Sequence, residues 1–318
     1  MAKSQITLLI FAIVFRSLLP HFAMFAVALF YSINFFTVKT LFLEMDPFPV
    51  LAIRSITGLV FFYLAWKWLA KGEPVAVADR WRLWACGITG ISINQIFFLW
   101  GLSLTSEFHG AVLMLLTPVF VFLMAHFLGK GGLIRWDRAL GLTMSTLGAI
   151  WLVKEAAAGG VAGRESLTGD LMILLNAGSY GVYLVLVKPL TSKYKPVTIL
   201  SYMFMTGGII NIAVGTFFWK DTHIESLSSQ AWFGLIFLLI AATLLAYLLN
   251  AWAMIRVSPV WVGMYIYLQP VLTMLISAFL FAGSITFGRI GYALLILAGV
   301  YLTTRKEKQA PTMQISQD

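Results

Sequence analysis

The chain has 318 residues, of which 60% are hydrophobic and only 11% are charged, and its mean hydropathy is +0.89. Soluble proteins have about 45–50% apolar and about 25% charged residues, so this chain lacks the charges that a water-exposed surface needs. The net charge of +9 does not indicate a nucleic-acid partner, because the basic residues stand singly between apolar runs. These values indicate an integral membrane protein in contact with a lipid bilayer.

Apolar runs of about twenty residues recur along the chain, and each is long enough to cross a hydrocarbon core of about 30 Å. They predict an all-α protein with ten transmembrane helices. The approximate spans are 22–43, 48–69, 82–103, 108–129, 136–154, 169–190, 197–219, 232–255, 259–281 and 285–304.

The chain before the first span is predicted to be an N-terminal extension, residues 1–21. Residues 6–19 are apolar, but Arg16 and Pro20 make this run short for a span. An uncleaved leader, an interfacial helix and a misassigned start codon all fit this extension.

An Ala- and Gly-rich stretch, residues 155–168, falls between the fifth and sixth spans and is predicted to link two halves. The first half is then 22–154 and the second half 169–304. Residues 305–318 form a polar tail.

Basic residues are distributed unevenly between the two sides of this predicted topology. With the N-terminus inside, sixteen of the 22 Lys and Arg residues fall on the inner side. Because cytoplasmic loops carry the excess of Lys and Arg, both termini are predicted to be cytoplasmic.

The two halves repeat each other in sequence. At a shift of 149 residues, Tyr31, Lys39, Pro47 and Gly58 match Tyr180, Lys188, Pro196 and Gly207, and at a shift of 152 residues Trp100 and Pro118 match Trp252 and Pro270. Since five helices per half is an odd number, the second half must enter the membrane from the opposite side. Two inverted five-helix repeats are typical of transporters, whose substrate site lies near the bilayer midplane between the halves.

Polar side chains at mid-span positions are costly in hydrocarbon, so they are expected to face a cavity or another helix. They occur in the first, third, sixth and eighth spans at spacings that place them on shared helix faces. Each is either a helix-packing contact or a substrate contact, and together they predict a substrate-binding cavity. These residues are Tyr31, Asn34, Asn94, Gln95, Asn176, Tyr180, Tyr183, Tyr247 and Asn250.

The fourth and ninth spans carry a second repeated pattern with a spacing of four residues. His109 and Thr117 correspond to Trp261 and Gln269, with Tyr265 between the latter two, and all five are further candidates for substrate binding. Pro118 and Pro270 follow directly and predict a kink in each helix, because proline cannot donate a hydrogen bond to the carbonyl four residues back. The freed carbonyl either binds substrate or is satisfied by a neighbouring group.

Ionisable residues within the predicted spans are few. Arg54 is expected to pair with a helix-end carbonyl or with an acid such as Glu44 or Asp46. His109 is a candidate for carrying a coupled proton, because histidine titrates near neutral pH; the competing interpretation is a partly wetted histidine at the interface. This scarcity favours facilitated export or exchange over proton coupling.

These residues give the chain a resemblance to a known family. The segments that carry it are Tyr31 to Phe35 followed by Lys39, Arg54 in the second span, Leu116-Thr117-Pro118-Val119, Leu268-Gln269-Pro270-Val271, and Gly141 to Gly148. In these segments the chain resembles EamA-type members of the drug/metabolite transporter superfamily, which have ten helices in two EamA repeats. The resemblance implies a multi-pass transporter of the inner (plasma) membrane that exports amino acids, other metabolites or toxic compounds.

The chain departs from the family pattern after the two prolines. The family commonly has Gly-Glu at these helix ends, whereas Gly129-Lys130 and Ala282-Gly283 stand here. The role of that glutamate therefore does not carry over.

The sequence contains no motif for catalysis, metal binding or a cofactor. Cys86 is the single cysteine, so an internal disulfide and a multi-cysteine metal site are excluded. The leading hypothesis is a carrier of a small molecule, not an enzyme, acting as a monomer or homodimer. The alternatives are a membrane-embedded sensor or scaffold and a lipid-modifying enzyme.

Overall fold

The computed structural model describes residues 2–127, 136–158, 166–220, 224–254, 256, 265, 268–269, 272–273, 275–276 and 287–304, and these are helical apart from short connections. The helices are α1 Ala2–Leu41, α2 Pro47–Leu69, α3 Val77–Gly87, α4 Asn94–Leu104, α5 Glu107–Leu113, α6 Thr117–Phe127, α7 Trp136–Ala158, α8 Leu167–Val187, α9 Pro196–Met203, α10 Ile209–Phe217, α11 Ser229–Leu239, α12 Ala246–Met254 and α13 Phe287–Thr304.

Within the described residues, seven helical stretches are long and apolar enough to cross a membrane. They are Leu18–Leu41, Pro47–Leu69, Val77–Leu104, Glu107–Phe127, Leu167–Val187, Pro196–Phe217 and Ser229–Ala253. The predicted fifth and tenth spans coincide with α7 and α13, whose apolar parts are shorter. The predicted ninth span, 259–281, lies mostly outside the described residues. The chain is a multi-pass membrane protein whose described residues form helices joined by short connections.

The first helix differs from the sequence-based expectation. Helix α1 begins at Ala2 and runs without a break through Pro20 to Leu41, whereas the first span was expected to begin at residue 22.

Proline and serine residues set the start of several helices. Pro47 and Pro196 occupy first-turn positions of α2 and α9, where the missing N–H costs no helical hydrogen bond. Ser106, Ser166 and Ser228 are N-caps, whose hydroxyl oxygens accept hydrogen bonds from the N–H three residues on, at 3.2, 3.0 and 3.2 Å.

Three of the membrane-crossing stretches contain a π-helical turn near their middle. These turns are Ile88–Ile93 between α3 and α4, Phe204–Gly208 between α9 and α10, and Ile240–Leu245 between α11 and α12. Such turns are rare and occur frequently at functional sites. The first two lie against each other.

Hydrogen bonds between connecting segments define two ends of the bundle. At the first, the Glu44 end, Glu44 binds Ser228 and the N–H of Ser166 donates to the carbonyl of Leu104. At the opposite, Glu73 end, the Glu73 carboxylate accepts hydrogen bonds from Lys195 and Thr198. Because α1 ends at the Glu44 end and α8 begins there, the two halves run through the bundle in opposite directions.

Two of the three buried apolar clusters among the described residues form most of the interior. The larger lies toward the Glu44 end and includes Leu41, Met45, Leu102 and Leu227, all fully or nearly fully buried. The smaller lies toward the Glu73 end, around Phe62 and the other residues of its cluster, Val75, Leu83, Cys86, Ile91, Val187, Leu190, Ile199, Leu200, Met203 and Phe204. Helices α7 and α13, which are equivalent in the two halves, pack along each other.

The close approach of the π-helical turns depends on glycine. A methyl group on Gly207 would lie 2.0 Å from the carbonyl oxygen of Gly87, which no side-chain adjustment can relieve. We expect Gly207→Ala to lower the free energy of unfolding by about 2–3 kcal/mol, measured by titration of the detergent-solubilised protein with dodecyl sulfate. Gly291→Ala is the matched control, because a methyl group there has nothing within 4 Å. Equal effects of the two substitutions would contradict this account.

Candidate functional site

A cavity of about 130 Å³ lies in the interior of the bundle, between the two halves. One water molecule needs about 10–15 Å³ of such space, so the cavity can hold a small organic molecule. The wall comes from both halves of the chain. It is formed by Met24, Val27, Ala28, Tyr31, Asn34, Phe35, Arg54, Asn94, Phe98, Met114, Thr117, Asn176, Tyr180, Tyr183, Val187, Thr191, Tyr194, Pro196, Ile199, Leu200, Tyr247, Asn250, Ala251, Tyr265 and Gln269.

Eleven of the residues that the sequence suggested for substrate binding lie in this wall. They are Tyr31, Asn34, Asn94, Thr117, Asn176, Tyr180, Tyr183, Tyr247, Asn250, Tyr265 and Gln269. Their contact with a substrate remains a prediction. Trp261 and Pro270 lie outside the described residues.

Amide and phenol groups of the wall are joined by hydrogen bonds, some of which cross between the two halves. The Asn176 side-chain amide donates to the backbone carbonyl of Asn94 at 2.7 Å, and the Asn94 amide donates back to the Asn176 carbonyl at 3.4 Å. The Asn250 amide donates to the Tyr180 hydroxyl at 3.5 Å. The two Asn94–Asn176 bonds connect the first half to the second, whereas the Asn250–Tyr180 bond lies within the second half.

Aromatic rings line part of the cavity. The rings of Tyr180 and Tyr183 lie 5.3 Å apart between centroids, and the Tyr247 ring meets Phe204 edge-on at 5.6 Å. Aromatic rings with a polar tip can stack on an apolar part of a ligand and also form a hydrogen bond.

The cavity extends toward one end of the bundle. Thr191, Tyr194 and Pro196 belong to the α8–α9 connection at the Glu73 end, and all three line the cavity. Toward the Glu44 end the wall stops at Phe35 and Phe98, beyond which the larger apolar cluster is packed. Within the described residues, the cavity therefore reaches from the middle of the bundle toward the Glu73 end alone.

Gln95 lies behind the wall and does not line the cavity. Its amide donates to the Tyr247 hydroxyl at 3.2 Å, and its carbonyl oxygen accepts from Asn211 at 3.4 Å. Gln95 and Tyr247 are equivalent residues at the shift of 152, so this hydrogen bond joins the halves at their symmetry axis. Asn211 was missed in the sequence, although it is a polar residue in the middle of an apolar run.

His109 also lies apart from the cavity. Because it is fully buried, its interpretation as a partly wetted interfacial residue is wrong. Its side chain is completely buried, and its Nδ1 lies 2.9 Å from Oδ2 of the equally buried Asp170. The Thr105 hydroxyl donates to the other oxygen of Asp170. This cluster joins α5 to the first turn of α8. Asp170 was overlooked in the sequence, although an acid inside an apolar run is itself a signal of pairing.

The helix break expected at Pro118 is a short 3₁₀ turn, Met114–Leu116, between α5 and α6. The carbonyl of Met114, which Pro118 cannot bond, accepts a hydrogen bond from the Thr117 hydroxyl at 2.8 Å. Of the two roles open for this carbonyl, the structure therefore supports satisfaction by a neighbour.

Arg54 does not pair with Glu44 or Asp46 as the sequence suggested. Its side chain is buried in the cavity wall, and its Nε donates to the Thr243 hydroxyl at 2.9 Å. Glu44 is instead bound by Ser228, whose backbone N–H and hydroxyl donate at 2.7 and 2.5 Å. These hydrogen bonds lower the pKa of Glu44 below its ordinary value of 4.5.

Hydrogen bonds to a carboxylate also connect the loops at the Glu73 end. Lys193 donates to both carboxylate oxygens of Asp79 at 3.1 and 3.0 Å, and the Tyr194 hydroxyl donates to Asp79 at 2.8 Å. Burial, followed by this hydrogen bond to a carboxylate, raises the pKa of Tyr194. Tyr194 therefore belongs both to the cavity wall and to the loop contacts at this end.

The described part of the chain holds no group of three or more His, Cys, Asp or Glu side chains that could bind a metal ion.

The helical architecture, the paired halves and the enclosed polar cavity together define a multi-pass membrane transporter. The EamA-like transporter family matches residues 18–154 and 167–305, once in each half. The chain therefore belongs to the EamA-like transporter family. Members of this family are transporters and in general not enzymes.

Relatives agree with this membership. An "Uncharacterized transporter" of Archaeoglobus fulgidus is 23% identical over 91% of this chain and 98% of its own. A "Probable terminal-alkyne amino-acid exporter" of Streptantibioticus cattleyicolor is 31% identical over 39% of this chain and 40% of its own. A protein crystal structure shares the fold with a TM-score of 0.59, at 20% identity over 91% of this chain and 96% of its own.

The position of Asp170 away from the cavity leads to a prediction. We expect Asp170→Asn to lower the free energy of unfolding by about 1–3 kcal/mol, because His109 and Thr105 lose a charged hydrogen-bond partner. Affinity for any transported compound should stay within about twofold of wild type, since the pair does not touch the cavity. Dodecyl sulfate titration and a binding assay check the two parts. Asp46→Asn, which removes an exposed carboxylate, is the control, and a selective loss of affinity would refute the structural role.

The Glu44–Ser228 contact predicts a pH dependence of stability. Because the folded-state pKa of Glu44 lies below 4.5, its contribution is fully present above pH 4.5 and is lost as the pH falls through the folded-state value. We expect Glu44→Gln to lower the melting temperature at pH 7 and to converge with wild type in strong acid. Melting curves across this pH range check the expectation. Glu225→Gln, at an exposed acid near the same end, should show no such convergence.

Proposed function

We propose that this protein carries a small metabolite across a membrane by alternating access around the cavity. One observation carries the proposal: polar residues from both sequence-related halves line one cavity that, as far as the described residues form it, extends toward the Glu73 end of the bundle. Two halves that run in opposite directions can exchange conformations, so that the same cavity opens first to one side and then to the other.

The topology in this proposal is that of ten membrane spans in two inverted repeats, 22–154 and 169–304. Both termini are cytoplasmic, because the excess of Lys and Arg lies on the side of the Glu73 end. The membrane is the inner (plasma) membrane. In this orientation the cavity extends toward the cytoplasm, as expected of a carrier that loads its substrate inside for export or exchange.

Amino acids and related compounds are the proposed substrates. The amides of Asn34, Asn94 and Asn250 supply donors and acceptors for polar groups, and the rings of Tyr180 and Tyr183 pack on apolar parts of a ligand. The relative from Streptantibioticus cattleyicolor, named as an amino-acid exporter, supports this choice. The protein acts as a carrier without catalysis, as a monomer or homodimer, with no nucleic-acid partner.

Counterflow into liposomes tests the proposal. Vesicles containing the purified protein and an unlabelled amino acid are diluted into the labelled compound, and uptake is followed with time. We expect wild type to accumulate at least one compound, and Tyr180→Ala and Gln269→Ala to reduce its uptake at least about tenfold, because each removes a contact in the cavity wall.

The matched control is Tyr63→Ala, which removes a tyrosine from the exposed, lipid-facing surface of α2. This variant should transport at the wild-type rate. If no compound moves under any gradient, including a proton gradient, the carrier proposal fails. If transport persists in both cavity variants, the cavity is not the route.

A further inference from the structure

Arg54 is a cation buried in a membrane-spanning helix, and it lies in the wall of the cavity. Only 5% of its surface is exposed. It is the only Lys, Arg, Asp or Glu among the described residues of the wall. A guanidinium keeps its proton in proteins, so Arg54 brings one positive charge into this enclosed space.

No acid compensates this charge within the described part of the chain. Glu44 is bound by Ser228, Asp79 by Lys193 and Tyr194, and Asp170 by His109 and Thr105. A buried charge without a counter-charge is expensive, because desolvation is not repaid by an ion pair. The cavity therefore favours a ligand that brings its own negative charge.

Thr243 holds the guanidinium in a fixed orientation. The Thr243 hydroxyl donates its only proton to the carbonyl of Leu238 at 2.8 Å, so its oxygen is free to accept the hydrogen bond from Nε of Arg54 at 2.9 Å. This hydrogen bond reaches back five residues, from the π-helical turn Ile240–Leu245 to the end of α11. With Nε occupied, the donors on Nη1 and Nη2 have no partner among the described residues and remain available to a ligand.

The positive charge of Arg54 is present in only one of the two repeats, so the fold that the repeats share does not require it. At the shift of 149, the residue equivalent to Arg54 is Met203, which is fully buried and uncharged. The cavity thus has a cation on one side of its symmetry axis and none at the equivalent position. A ligand with one anionic group would bind in a single orientation.

We propose that Arg54 binds the carboxylate of the transported compound, and that the substrates are small organic carboxylates, amino acids included. Two parallel hydrogen bonds from a guanidinium match the geometry of a carboxylate. The amide groups around the cavity are neutral. Their carbonyl oxygens can accept hydrogen bonds from a ligand's ammonium group, but a ligand without an ammonium group also fits. This inference rests on the proposed function of the cavity as the substrate site.

The test measures binding to the purified full-length protein by titration calorimetry. The ligands are two carboxylates, each compared with its uncharged amide. The pairs are propanoate with propanamide and 3-phenylpropanoate with 3-phenylpropanamide. In wild type, we expect at least one acid to bind about tenfold or more tightly than its amide, because charged hydrogen bonds are lost with the carboxylate. If no acid is preferred over its amide, the inference is wrong.

Three variants test whether the preference for acids over amides depends on Arg54. Arg54→Gln should abolish it, whereas Arg54→Lys should keep part of it, because lysine retains the charge but not the two-pronged geometry. Arg80→Gln removes an exposed arginine and should change nothing. An acid preference that survives in Arg54→Gln overturns the role of Arg54. Melting curves without ligand verify that each variant is folded.

Thr243 provides a second line of evidence that leaves the charge in place. Thr243→Val should weaken the acid preference several-fold, and Thr243→Ser should restore it, because serine keeps the hydroxyl. A merely structural role would lower the melting temperature without changing the ratio of acid to amide affinity. An unchanged ratio in Thr243→Val contradicts the positioning of Arg54 by Thr243.

Counterflow of the same ligand pairs separates this inference from the carrier proposal. Arg54-dependent binding of acids without any movement supports the carboxylate site and counts against transport. Movement of amides as rapidly as acids supports transport and overturns the carboxylate site.

Discussion

The cost of placing polar groups in hydrocarbon governs this structure. Within the membrane-spanning stretches, a polar group without a partner costs several kcal/mol, so polar side chains there tend to pair with each other inside the bundle. The residues that meet this need are the ones that join the halves: Asn94 with Asn176, and Gln95 with Tyr247. The same requirement that holds the bundle together therefore concentrates polar groups along its axis, where a substrate can use them.

The two ends of the bundle meet this constraint in different ways. At the Glu44 end, apolar residues are packed over the cavity and the buried His109–Asp170 pair links α5 to α8. At the Glu73 end, Tyr194 both lines the cavity and binds Asp79 in the loop contacts. A conformational change that opens the Glu44 end must separate groups that are buried and paired, so contacts of comparable strength have to form at the other end.

Sequence alone predicted the local features of the fold and not its long-range pairs. Hydrophobic run lengths located α2 and α8 to within a few residues, because the bilayer fixes the length of a span. Periodicity also identified most of the polar cavity wall. It failed for His109 and Arg54, since their partners Asp170 and Thr243 stand 61 and 189 residues away. Such pairs depend on how helices are arranged in space, which run length and spacing do not encode.

The helices around the cavity depend on residues that match between the two halves, whereas the charge in its wall comes from a position at which the halves differ. Pairs such as Pro47 and Pro196 keep the same helix starts in both halves, which is the equivalence that the proposed exchange between two conformations requires. Arg54 and Met203 occupy equivalent positions yet differ in charge. A symmetric cavity would bind a ligand equally well in either of two orientations. In the described wall, the charge of Arg54 would remove that degeneracy for an anionic ligand, so we expect the positions at which the halves differ to select the substrate.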